Sequence, residues 1–154
     1  MYMMKSILLI ASLVLASCSP AQGADTPTEQ SAPAIIDGLW ENDRGSQVRF
    51  TALDGELSGV YKTNVGQPDK SQSFPLRGFV QGDQVSFTVN FKGYSSMTAW
   101  VGQMSEDAGG PYIQTLWHLT RDIDDANEAD DLWGSITAGA STFRPVISSD
   151  EPSP

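Results

Sequence analysis

One cysteine and one histidine in 154 residues leave little room for the commoner site chemistries. A lone Cys18 excludes an internal disulfide, and a lone His118 removes most zinc sites. Cations are also scarce: nine Lys and Arg stand against 19 Asp and Glu, for a formal net charge of -10. Such a chain repels phosphates, which disfavours nucleic acid as a partner. Long apolar runs are lacking as well, because the longest, residues 7–15, is too short to span a bilayer stably. No paired acid and base, metal-ligand set or activated nucleophile stands out, so the sequence does not read as an enzyme and implies no cofactor.

The chain divides by composition. Residues 1–17 read as an export signal, with Lys5 as the short positive region ahead of the apolar run. The run ends in Leu15-Ala16-Ser17-Cys18, which resembles the bacterial lipobox. That resemblance implies lipidation of Cys18 and gives the single cysteine a purpose; an ordinary signal cleaved nearby is the alternative. The expected location is outside the cytoplasm, as a periplasmic or outer-membrane lipoprotein or a secreted protein. Membrane contact is expected only through the lipid. Residues 18–36 are rich in Ser, Pro, Ala, Thr and Gln, bury too little apolar surface to fold, and read as a tether. Residues 146–154 read as a frayed tail, leaving 37–145 as one folded domain.

Within that domain the hydrophobic period is two. Val48, Phe50 and Ala52 alternate with Gln47, Arg49 and Thr51, and Val85, Phe87, Val89 and Phe91 alternate with Ser86, Thr88 and Asn90. Asp54-Gly55 is a hairpin signal, and Gly82-Asp83 and Gly109-Gly110-Pro111 also break runs. About eight strand-like runs follow, the last expected from about Trp133 to Phe143, with no convincing helix. Short antiparallel strands on short loops favour an all-β, eight-stranded, antiparallel up-and-down β-barrel, which removes sheet edges; a sandwich is the alternative. In the run Thr115-Leu116-Trp117-His118-Leu119-Thr120, period two puts Thr115, Trp117 and Leu119 on one face and Leu116 and His118 on the other. An aromatic beside a hydroxyl on the inner face suits a barrel that holds a small ligand, and an outward leucine suits packing against another subunit. His118, opposite Trp117, reads as a surface or interface residue. The acidic stretch Asp122, Asp124, Asp125, Glu128, Asp130, Asp131 fails as a calcium loop, because Asn127 stands where the sharp turn needs glycine, and reads as solvated.

Five segments, in order and spread over nearly the whole domain, resemble the avidin and streptavidin family. They are Gly38-Leu39-Trp40-Glu41-Asn42-Asp43-Arg44-Gly45-Ser46, Gly59-Val60-Tyr61-Lys62-Thr63-Asn64-Val65-Gly66, Ser96-Met97-Thr98-Ala99-Trp100-Val101-Gly102-Gln103, the tryptophan strand above, and Gly139-Ala140-Ser141-Thr142-Phe143. The resemblance implies an eight-stranded barrel that binds biotin non-covalently and with high affinity. It also implies a role for each matching residue. Asn42, Ser46 and Tyr61 would donate to the ureido carbonyl, Thr63 would accept from a ureido N–H, and Thr98 would sit by the ring sulfur. Ser96 and the loop Val65-Gly66-Gln67 would meet the valerate carboxylate, while Phe91, Trp100 and Trp117, with Leu119 on the same face, would wall the apolar body. Trp133 matches the tryptophan that tetrameric members insert into a neighbour's site.

Three residues depart from the family pattern. Ser141 stands where an acidic or amide residue commonly accepts from the second ureido N–H, Phe91 replaces a tryptophan, and Arg44 replaces a leucine that touches the ligand. Arg44 is expected to snorkel outward or to pair with an acid. Binding weaker than in the tightest members follows. A homo-tetramer is expected from outward Leu116 and Ile136 and from Trp133, with a dimer as the alternative. The competing readings are a related barrel for another small ligand, and an interaction or inhibitor lipoprotein with a filled core.

Overall fold

A computed structural model describes residues 36–147; the signal, Cys18, nearly all of the tether and most of the tail lie outside them. Eight strands follow one another: β1 Gly38–Asn42, β2 Gln47–Leu53, β3 Glu56–Lys62, β4 Phe74–Gln81, β5 Gln84–Phe91, β6 Ser96–Asp107, β7 Gly110–Arg121 and β8 Ile136–Pro145. Each pairs antiparallel with the next, and β8 returns to β1 through Trp40 opposite Pro145 and Asn42 opposite Phe143. That last pairing closes the sheet and excludes the sandwich. Hairpin chemistry sets the registers: Asp54 and Gly55 both take positive φ, 53° and 82°, the backbone a tight two-residue turn needs.

The inner face carries the alternation seen in the sequence. Val48, Phe50, Leu57, Leu76, Val89, Ile113 and Phe143 are buried, and the Phe87 ring meets Phe50 and Phe143 edge-on with centroids 5.1 and 6.1 Å apart. This aromatic plug fills the end of the barrel toward which β2, β4 and β6 run. Each such ring contributes roughly 1.5–3 kcal/mol by leaving water. Trp40 is also core, and its indole N–H donates to the Ile36 carbonyl at 2.8 Å. The opposite end, reached by β1, β3, β5 and β7, carries the turn 43–46, the loop 63–73, the turn 92–95 and the long connection 122–135.

That long connection corrects two expectations. It contains a short helix, α1 Glu128–Asp131, followed by a 3-10 turn Leu132–Ser135, so β8 begins at Ile136 and Trp133 is not on a strand. No residue of α1 is buried, so it left no apolar periodicity to read; Glu128, Asp130 and Asp131 instead complement the positive end of its dipole.

Candidate functional site

A cavity of about 550 Å³ opens between the four loops of the β1/β3/β5/β7 end, a size suited to a small molecule. Thr98, Trp100, Trp117 and Leu119 reach it from β6 and β7, and Ser141 from β8. Asn42, Ser46, Tyr61 and Thr63 form its polar wall, Phe91 and Ser96 line it across the turn 92–95, and Val65, Gly66 and Gln67 form part of its rim. Of the residues singled out from the sequence, Trp133 alone does not line this chain's cavity: it is 80% exposed on the 3-10 turn. Pro68, Tyr94, Ser95, Arg121 and Thr137 also line it and were not singled out, and Asp122, read from the sequence as part of a solvated acidic stretch, lines it too. The signal available for them was their place at the same end of the barrel, and for Arg121 the period-two continuation of Trp117 and Leu119.

The hydrogen bonds already made around the polar wall fix what each side chain has left to offer. The Asn42 carbonyl oxygen accepts from the backbone N–H of Arg44 at 3.0 Å and of Ser46 at 2.8 Å. Its amide group is therefore oriented with the NH₂ remaining as a donor. The Ser46 hydroxyl accepts from the Asn64 N–H at 2.9 Å, which leaves its own O–H to donate. Burial raises the Tyr61 phenol above its ordinary 10.0, although hydrogen bonds with Ser46 and Asn42 and the charge of Arg44 act in the other direction. Tyr61 thus keeps its proton at neutral pH. Thr63 has the opposite polarity: its hydroxyl donates to the Val65 carbonyl at 2.8 Å and accepts from the Val65 N–H at 3.2 Å, which leaves one lone pair as an acceptor. All four side chains are buried, where such bonds count for more than in water.

The remaining wall is aromatic. Trp100 stacks on Phe87 at 4.8 Å and 11° and tilts against Tyr61 at 5.1 Å. Phe91 packs edge-on against Phe74 at 5.0 Å and Tyr61 at 6.0 Å. The Trp100 indole N–H is buried without a hydrogen-bond partner among the described residues, a cost of about 1–3 kcal/mol carried in the cavity wall. Thr115 lies behind the wall, its hydroxyl donating to the Ser141 carbonyl at 2.9 Å.

Loops of the open end are tied to one another. Asn64 donates from its amide to the Arg44 carbonyl at 3.0 Å, joining the 63–73 loop to the 43–46 turn. Tyr94 donates to the Gln72 side chain at 2.8 Å, and the Asp122 N–H to the Ser95 carbonyl at 2.8 Å. Arg44 is exposed, as expected of a side chain that reaches outward. It makes no ion pair among the described residues, and its guanidinium lies over the Trp117 ring, 5.5 Å from the centroid, at the cavity rim. An indole face attracts a weakly hydrated planar cation more than open solvent does.

A closed antiparallel barrel with a deep, mixed polar and aromatic cavity at one end defines a small-ligand-binding barrel. Residues 30–146 match the sequence profile of the Avidin family, and the chain belongs to that family. Avidin of Gallus gallus is 29% identical over 147 residues, covering 89% of this chain and 90% of avidin. Among solved structures, a biotin-binding protein from chicken is 32% identical at a TM-score of 0.64, over 74% of this chain and 98% of that one. Xenavidin is 26% identical at a TM-score of 0.64, over 75% of this chain and all of its own.

Proposed function

We propose that this protein binds biotin non-covalently in the open end of its barrel and catalyses nothing. One observation carries the reading: the hydrogen-bond polarity of the polar wall matches a cyclic urea. Asn42, Ser46 and Tyr61 can each turn a donor toward one carbonyl oxygen, Asn42 and Ser46 exchanging their hydrogen bonds with the Tyr61 phenol for it, and Thr63 has an acceptor for the adjoining N–H. A buried urea left unmatched would lose about 1–3 kcal/mol per group, so the match selects this head over an apolar one. Thr98 takes the ring sulfur, Phe91, Trp100, Trp117 and Leu119 the apolar body, and Ser96 with Val65, Gly66 and Gln67 the carboxylate end. Ser141 offers only a short neutral acceptor to the second ureido N–H, so affinity is expected below that of the tightest relatives.

Thermal denaturation of the purified protein with and without excess biotin tests this. A ligand that binds only the folded state stabilises it by about 4 kcal/mol at a thousandfold excess over Kd, so a clear rise in Tm is expected. An unchanged Tm in folded protein overturns the reading. The other small ligand considered from the sequence is favoured by Arg44 and Ser141, and displacement of bound biotin by a ligand library separates it. The cavity weighs against a filled-core interaction protein.

The working unit is a homo-tetramer in this reading. On the outer face Val101 and Leu116, 65% and 66% exposed, lie opposite each other, with Ala140 beside Leu116 and Ala99, His118 and Ala138 in the next row. Such a largely apolar surface, with exposed Trp133 nearby in sequence, suits a second copy of the chain. The protein is exported, either secreted or anchored through lipidated Cys18. Among the described residues no helix is long and apolar enough to cross a membrane.

A further inference from the structure

We infer that the cavity discriminates free carboxylic acids from their amides through Arg44 and Arg121, an inference that rests on the biotin reading. The charge of the rim is the reverse of the charge of the chain. Two arginines and one aspartate, Arg44, Arg121 and Asp122, line the cavity, whereas the whole sequence carries -10. Both cations are exposed, and each has a defined place at the cavity mouth, Arg121 by strand register and Arg44 by its ring contact. Arg121 ends β7 directly opposite Ser96, and it shares the inner face of Trp117 and Leu119. Arg44 rests on the Trp117 ring, and the turn that bears it is fastened by the Asn64 amide on its own carbonyl. Neither arginine makes an ion pair among the described residues. The acids beside them in the chain are Asp122, which also lines the cavity, and Asp43, on an exposed turn position outside its lining.

A ligand whose apolar body fills the aromatic cup brings its far end to this rim. If that end is a carboxylate, it meets two guanidinium groups with bidentate donor geometry. If it is an amide, as when the molecule is joined to a lysine side chain, the charge is gone and only neutral hydrogen bonds remain. Rim charges act mainly on encounter and on salt dependence. The protein is thus built to take up the free ligand in preference to the same ligand attached to another molecule.

The test compares biotin with biotinamide on the purified full chain, reading Kd and association rate at low and at high ionic strength. The acid is expected to bind about fivefold more tightly at low salt, as suits exposed charge pairs, with faster association, and the gap closes in about 1 M salt. Arg44→Gln and Arg121→Gln should each narrow the ratio, while Arg44→Lys should keep most of it. Equal affinities for acid and amide in the parent, or a ratio unmoved by both glutamine variants, overturn the inference and leave the biotin reading intact. Binding of neither ligand overturns both.

Discussion

Gly139 and Trp117 face each other across β7 and β8, and the indole occupies the space a side chain at 139 would need. A β-carbon at 139 would fall 2.8 Å from Trp117 Cε2 and 3.0 Å from Cη2, and would meet Cζ2 as well. No flexible chain end can yield there, because the obstruction is the ring that walls the cavity. Gly139→Ala is therefore expected to push the indole inward, costing about 1–3 kcal/mol of stability and weakening biotin by a comparable factor. Thermal denaturation and titration calorimetry on the same variant read both effects. A variant with unchanged stability and affinity would show that the ring has room to move.

Thr63 is the acceptor of the polar wall. Replacing it by valine keeps the shape but removes the only oxygen this position can turn toward a ligand N–H, and it also frees the Val65 carbonyl and N–H of the 63–73 loop. A loss of about 1–3 kcal/mol in binding is expected, or about five- to hundredfold in Kd. Thr63→Ser, which keeps the oxygen, should recover most of it. Equal losses in both variants would mean that packing of the methyl group, not the acceptor, matters.

Tyr61 supplies a pH prediction. Its phenol is raised from 10.0 chiefly by burial, against the lowering effects of Ser46, Asn42 and Arg44, with Asp43 adding to the rise. A native value above the unfolded one means that the folded state holds the proton more firmly. The associated stability is fully present below pH 10.0 and is lost as pH rises through the native value. Binding, which uses the same proton as a donor, should be flat in this respect up to pH 10.0 and fall above it. Tyr61→Phe should bind about 0.5–1.5 kcal/mol more weakly at neutral pH and lack that phenolic component of the alkaline fall. Kd measured from pH 7 to 11 on both proteins checks it.

Most of the barrel was legible because period-two alternation reports directly which side chains face inward, as in Val85, Phe87, Val89 and Phe91. Gly-containing turns such as Asp54-Gly55 also fix their own backbone geometry. Closure was expected from eight short strands on short loops and from the family resemblance, although nothing local in Trp40 or Pro145 says that the first and last strands meet. Local signals failed too at Glu128–Asp131, where every residue is exposed and a single helical turn obeys no hydrophobic period. The cavity followed from strand faces for Thr98, Trp100 and Trp117. Arg44 did not, because its resting place depends on an aromatic ring from a strand distant in sequence.

Trp133 provides the sharpest test of assembly. Its side chain is 80% exposed on a turn whose neighbours include exposed Leu132, and it makes no part of its own chain's cavity. A large indole left in water is costly surface, which a second copy would cover. If the copy's cavity is what receives it, Trp133→Ala should weaken biotin by at least about tenfold, since buried aromatics at such positions commonly contribute 2 kcal/mol or more, while leaving the barrel folded. If Trp133 only glues subunits together, the same variant should shift the oligomeric mass measured by light scattering and leave the affinity of the assembled fraction unchanged. A tetramer with parental affinity and parental mass would remove Trp133 from both roles, and with it the argument that each site is shared between chains.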